Sequence, residues 1–325
     1  MSAQNTRFRT ADGTAIAEAA RILRLGGLVA FPTETVYGIG ADATNGDAVA
    51  RLFDAKQRPR FNPLIVHVGS LLEAEDLGQF PVLARDLAER YWPGPLTLVV
   101  PRLSSCPVSL LACAGLDTIA LRSPSHLVAR ALLDAAKIPI AAPSANVSGR
   151  VTATRVEHVR SDFGETLDLV LDGGHAPLGL ESTVIGFEAG RPVLLRPGAI
   201  PSEDISVVAG IADSPRSERD GEFRSPGQLK SHYAPRARVQ MNATAVTPEQ
   251  ALLAFGSDVP AGARDTLNLS RTRDLREAAA NLFTMLRALD EGGAAEIAVM
   301  PIPETGLGEA INDRLRRAIA PRGVP

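Results

Sequence analysis

Only two cysteines, Cys106 and Cys113, occur in 325 residues. That excludes a disulfide scaffold, and a chain of this length buries enough surface to fold without one. The five histidines are scattered and lack the paired spacing of zinc motifs. No apolar run approaches the roughly 18 residues of a membrane span. The start, MSAQNTRFRTADG, is polar rather than signal-like, so a cytoplasmic protein with no membrane contact is expected. There is also no excess of positive charge: net charge is −3, so no general basic field draws the chain onto nucleic acid. An anion site has to be built locally. A Walker A sequence, kinase signatures, a Gly-x-Ser-x-Gly nucleophile elbow and internal repeats are all absent from the sequence.

What remains is an ordinary soluble composition, 45% hydrophobic and 22% charged, at a length that suggests two domains. Helical and strand patterns alternate over the first two-thirds. Helices are expected over 14–25, 47–56, 82–91 and 125–136. Strands are expected at 28–31, 64–68, 96–100, 118–121, 138–142, 169–171, 183–187 and 193–195. The closely spaced later strands point to a mixed α/β sheet. Residues 211–235 are polar, charged and broken by Pro and Gly, which reads as a linker. The division is therefore 1–210, a linker at 211–235 and a smaller α/β domain at 236–325. In that last part residues 248–254 look helical, and Leu275, Ala279, Leu282, Leu286 and Leu289 form an amphipathic stripe. Residues 297–300 form a strand, and Leu307, Ile311, Leu315 and Ile319 mark a final helix. Many of the 24 prolines and 28 glycines fall at strand ends, where α/β proteins place ligands.

Three segments carry candidate chemistry. In FPTETVYGIGADA (31–43) the Gly-x-Gly is a poor dinucleotide fingerprint and reads as a tight turn, while Thr33, Glu34 and Thr35 offer ligand contacts past a strand end. In KQRPRFNPLIVHV (56–68), Lys56, Arg58 and Arg60 end a helix. Cations there ordinarily complement the helix dipole, but this run leads through Asn62 and Pro63 into a buried strand, so a polyphosphate cradle stands beside the ordinary reading. His67 on that strand reads by default as a core histidine. In APSANVSG (142–149), Ser144, Asn146 and Ser148 make either an anion-binding turn or a plain polar loop. Arg122, Ser182 and Arg196 lie at further strand ends. Together these groups outline one hydroxyl-lined, positively charged cleft for phosphates and a small carboxylate.

These segments resemble the YrdC family in its longer two-domain form, the threonylcarbamoyl-AMP synthases. The resemblance rests on PTETVYGIGADA, Lys56-Gln57-Arg58, NPLIVHV, WPGPLTLV (92–99), Arg122, PSANVSG (143–149), Ser182-Thr183-Val184, LRPGAI (195–200) and the linker SPGQLKSHYAP (225–235). It implies a twisted mixed sheet with a concave basic cleft, followed by a smaller Rossmann-like α/β domain. It also implies a reaction in which L-threonine, bicarbonate and ATP give threonylcarbamoyl-AMP and pyrophosphate, the first step of the threonylcarbamoyladenosine modification of tRNA. On the family's pattern Lys56 and Arg58 are catalytic and, with Asn62, lie along the triphosphate. Thr118, Ser144, Thr152 and Arg196 contact the nucleotide, and Tyr233 closes over it. Thr35, His67, Arg122, Ala142 and Ser182 surround threonine. Mg²⁺ is expected to be held mainly by the ATP phosphates rather than by a protein site. Transient contact with tRNA or with the transferase that consumes the product is expected as well. An RNA-binding module without catalysis is the main rival, and the net charge weighs against it. A carbamoyltransferase that uses carbamoyl phosphate lacks its zinc motifs here, and a nicotinamide oxidoreductase lacks its fingerprint.

Overall fold

Residues 28–31 show how the first layers form. Leu28 and Ala30 pack into one hydrophobic cluster, whereas Val29 and Phe31 pack into another. Alternate side chains of one strand thus enter cores on opposite faces of a sheet. The computed structural model describes residues 7–211 and 233–320. Its first part runs β1 (Phe8–Thr10), α1 (Gly13–Arg24), β2 (Val29–Pro32), β3 (Tyr37–Asp42), α2 (Gly46–Lys56), β4 (Ile65–His67), α3 (Leu71–Glu75), α4 (Val82–Tyr91), β5 (Leu96–Pro101) and β6 (Thr118–Arg122). It continues with α5 (Leu127–Ala136), β7 (Ile140–Ala141), α6 (Val156–Phe163), β8 (Leu169–Asp172), β9 (Thr183–Glu188), β10 (Arg191–Arg196) and α7 (Ser202–Ala209). After residue 232 come β11 (Arg238–Gln240), β12 (Ala251–Ala254), β13 (Asp265–Asn268), α8 (Leu275–Glu291), β14 (Glu296–Val299) and α9 (Leu307–Ile319).

The first part is a mixed ten-stranded sheet in the order β1-β8-β2-β3-β7-β4-β6-β5-β9-β10. Helices α1 and α5 cover one face through Ala15, Ala19, Leu23, Ala129 and Leu132. Helices α2 and α4 cover the other through Val49, Leu52, Phe53 and Leu87. The second part is a parallel four-stranded sheet, β11-β14-β12-β13, backed by α8 and α9. Its core is continuous with Val36, Val151 and Leu180 of the first part, so the two units share packing.

Two sequence readings are corrected. Residues 251–254 form the buried strand β12 rather than a helix: the five consecutive apolar residues between Pro248 and Gly256 are too short a run to show a period, and β13 and β14 pair with β12 on both sides. Residues 37–42 are the strand β3, paired with β2 and β7, rather than a turn. The linker reading of 211–235 falls mostly on residues 212–232, which lie outside the described residues.

Candidate active site

The sheet brings strand ends together. Because β4 and β6 are parallel neighbours, His67 lies in register with Arg122. Parallel pairing of β5 with β9 sets Leu96 against Thr183, which brings Ser182 to the same region. An irregular register between Leu194 and Arg196 ends β10 and reorients Arg196. One cavity collects these ends. It is lined by Thr35, Arg58, His67, Arg122, Ala142, Ser144, Ser182, Arg196 and Tyr233 of the expected residues, and by Thr33, Tyr37, Leu64, Ile65, Pro143 and Glu181 among others.

On one side, Arg122 is almost fully buried and donates to Glu34 Oε1 at 2.6 Å, Thr35 Oγ1 at 2.9 Å and Gly94 O at 3.3 Å. Glu34 Oε2 accepts from the Ser125 and His126 amides at 3.1 and 3.3 Å. Burial alone would raise the Glu34 pKa. The Arg122 charge and these hydrogen bonds outweigh it, so the carboxyl is held below its ordinary range. Thr33 Oγ1 accepts from the Thr35 and Val36 amides, both at 3.2 Å, and so shapes the turn that presents Thr35. Burial, reinforced by the neighbouring Arg122 charge, pushes His67 down to about 3, so its ring is neutral near pH 7. Its buried Nδ1 has no hydrogen-bond partner among the described residues.

On the other side two guanidinium groups rest on peptide carbonyls. Arg58 follows Gln57, which ends α2 in the left-handed conformation, and donates to Asn62 O at 3.2 Å and Pro63 O at 2.9 Å. Arg196 donates to Ser182 O at 2.8 Å and Ser182 Oγ at 3.2 Å. Burial first, and then the charge of Arg196, lowers Arg58 to about 10. Burial also lowers Arg196 to about 10. Two partly desolvated like charges facing one cavity favour an arriving polyanion. Gly198 lets this wall close up: a Cβ there would lie 2.4 Å from Ser182 C and Thr183 N.

Four expected nucleotide contacts are not in the cavity lining. Lys56 is buried at the end of α2, and its ammonium binds the Ser144 and Asn146 carbonyls, so it holds the 144–148 loop instead of facing the cavity. Burial and the Arg58 charge hold its pKa well below the ordinary lysine range. The Asn62 side chain is fully buried with neither Oδ1 nor Nδ2 hydrogen-bonded among the described residues. Thr118 begins β6 while Arg122 ends it, a strand length of about 13 Å away. Thr152 Oγ1 donates to Glu181 Oε1 at 3.1 Å. The sequence reading missed the lining residue Glu181, although it directly precedes Ser182. It also missed the pairing of Glu34 with Arg122, which no local pattern signals.

Comparison with known proteins decides the kinship. The family model described as Telomere recombination, of the Sua5, YciO and YrdC proteins, matches residues 21–198. The chain belongs to the Sua5/YrdC family. A second model, the threonylcarbamoyl-AMP synthase C-terminal domain, matches residues 200–320. A threonylcarbamoyl-AMP synthase of Pyrococcus abyssi is 40% identical over 316 residues, 92% of each chain. One of Bacillus subtilis is 39% identical over 332 residues, covering 95% of this chain and 94% of its own. The crystal structure of P. abyssi Sua5 complexed with L-threonine is similar over 96% of each chain, with a TM-score of 0.87 and 38% identity. The family's mixed α/β sheet and second, smaller parallel sheet are both present here. Among the described residues no helix is long and apolar enough to cross a membrane.

Proposed function

We propose that this protein is an L-threonylcarbamoyl-AMP synthase. It joins L-threonine, bicarbonate and ATP and releases pyrophosphate, which is the first step of threonylcarbamoyladenosine formation in tRNA. The observation that carries this reading is the near-complete overlap, in sequence and in fold, with the Sua5 structure complexed with L-threonine. The charge layout of the cavity supports it.

The threonine amine and bicarbonate form a carbamate with loss of water. A carbamate oxygen then attacks the α-phosphorus of ATP, and pyrophosphate leaves. No protein nucleophile is required, so catalysis rests on positioning and on charge placed in advance. Arg122, held by Gly94, Thr35 and Glu34, takes the threonine carboxylate. Neutral His67, the Ala142 backbone and Ser182 surround its amine and side chain. Arg58 and Arg196 face the phosphates, beside Ser144. Lys56 acts through the loop that carries Ser144. Of the carboxylates here, Glu34 is bound by Arg122 and Glu181 by Arg314. In this proposal magnesium enters with ATP, on phosphate oxygens. Tyr233, whose ring is stacked on Phe283 with centroids 5.4 Å apart, forms one wall of the cavity. Transfer of the product to tRNA belongs to a further enzyme.

The test is pyrophosphate release with each substrate omitted in turn. Release is expected only when ATP, L-threonine and bicarbonate are all present. Equal release without threonine or without bicarbonate would refute the reading.

A further inference from the structure

We infer that Arg314, on the last helix of the second domain, is a positioning residue for the nucleotide side of the cleft: it binds the Glu181 carboxylate and keeps that negative charge from opposing the triphosphate. The inference rests on the adenylation reading above.

Glu181 lines the same cavity as Arg58, Ser144 and Arg196. It is buried, and its Oε2 accepts from Arg314 Nε at 3.0 Å while its Oε1 accepts from Thr152. Arg314, only 1% exposed, also donates to Pro197 O at 2.6 Å, one residue beyond Arg196. Its guanidinium carbon lies 5.6 Å from the centre of the Tyr233 ring. One cation of the second domain thus touches three segments of the wall around the proposed phosphate site. Helix α8 supports the same wall. Arg287 donates to the Thr152 and Val151 carbonyls and pairs with Asp162. Gly179 sits so close to α8 that a Cβ would lie 2.4 Å from Ala279 O.

The electrostatic consequence is specific. Without Arg314, Glu181 loses the guanidinium that binds its Oε2, and the wall that faces ATP becomes one charge more negative. Glu181 would repel the phosphates or draw Arg196 toward itself, and either outcome removes positive charge from the polyanion's seat. A bond that merely glued the domains together would carry no such preference between the substrates.

Steady-state kinetics on full-length variants separates these cases. Arg314→Gln is expected to raise the KM for ATP about tenfold and to leave the KM for L-threonine within about twofold. Adding Glu181→Gln is expected to bring the ATP KM back to within about threefold of the starting protein, because the carboxylate that needed a partner is gone. Glu181→Gln alone is expected to lower the ATP KM, and this sign decides the matter even if Arg314→Gln does not fold. A double variant as impaired as Arg314→Gln, or a Glu181→Gln protein with no fall in ATP KM, would overturn the proposal. Failure of the underlying functional reading would show elsewhere, as pyrophosphate release from the unsubstituted protein that does not depend on threonine.

Discussion

At the proposed amino-acid side of the cleft Arg122 is matched by Glu34. At the proposed nucleotide side Arg58 sits on the Asn62 and Pro63 carbonyls, Arg196 donates to Ser182, and Glu181 is bound to Arg314 from the second domain. Carbonyl dipoles fix the Arg58 guanidinium in place without cancelling its charge, whereas the Glu34 carboxylate offsets that of Arg122. The first side therefore suits a zwitterionic amino acid and the second a polyanion. Local pairing within a chain of net charge −3 is enough to make two different seats in one cavity.

The contrast is sharpest for the cations. Arg58→Ala is expected to lower kcat/KM for ATP about a thousandfold and to change threonine binding little, checked by initial rates with each substrate varied. Arg122→Ala is expected to raise the threonine KM about a hundredfold, with only a small effect on ATP. It also leaves Glu34 buried without its cation, so thermal unfolding should reveal a loss of about 3–5 kcal/mol. Adding Glu34→Gln should recover part of that stability but none of the threonine affinity.

Gly198→Ala tests whether the two seats share a wall. The added methyl meets the Ser182–Thr183 backbone, so a stability loss of about 2 kcal/mol and weaker use of both substrates are expected. The pH dependence of stability is a smaller effect. His67 binds a proton near 6.5 in the unfolded chain but only near 3 when folded. Between those values the unfolded state holds the extra proton, so stability falls as pH drops from about 6.5 toward 3. His158, lowered to about 4 by burial and the Arg287 charge, acts in the same sense. Melting curves for His67→Gln should therefore decline less steeply over this range than those of the unsubstituted protein. Thr35→Val removes one acceptor from Arg122, worth about 1 kcal/mol, and should raise the threonine KM a few-fold.

The sequence made some of this legible and hid the rest for physical reasons. The stripe Leu275-Ala279-Leu282-Leu286-Leu289 predicts a helix because one face recurs over about four turns, and α8 is there. Strand β12 was hidden because its four consecutive apolar residues show no alternation and are too short a run to separate strand from helix. Strand β3 was hidden because both its faces are buried, so no polar residues alternate with the apolar ones. Arg58, Arg122, Ser182 and Arg196 were legible as strand-end or loop groups. The diversion of Lys56 onto two carbonyls was not, since it depends on where the 144–148 loop folds back. Arg314 lay on a helix whose pattern announces only packing, and its partner Glu181 lies 133 residues away.

Calorimetric titration of ATP and of L-threonine at low and high ionic strength tests the division of the cleft most directly. Affinity for ATP is expected to fall steeply from about 0.05 to 0.5 M salt, while that for threonine changes by less than about twofold, because its seat carries a matched pair. Threonine affinity falling as steeply as that of ATP would contradict a charge-matched amino-acid side.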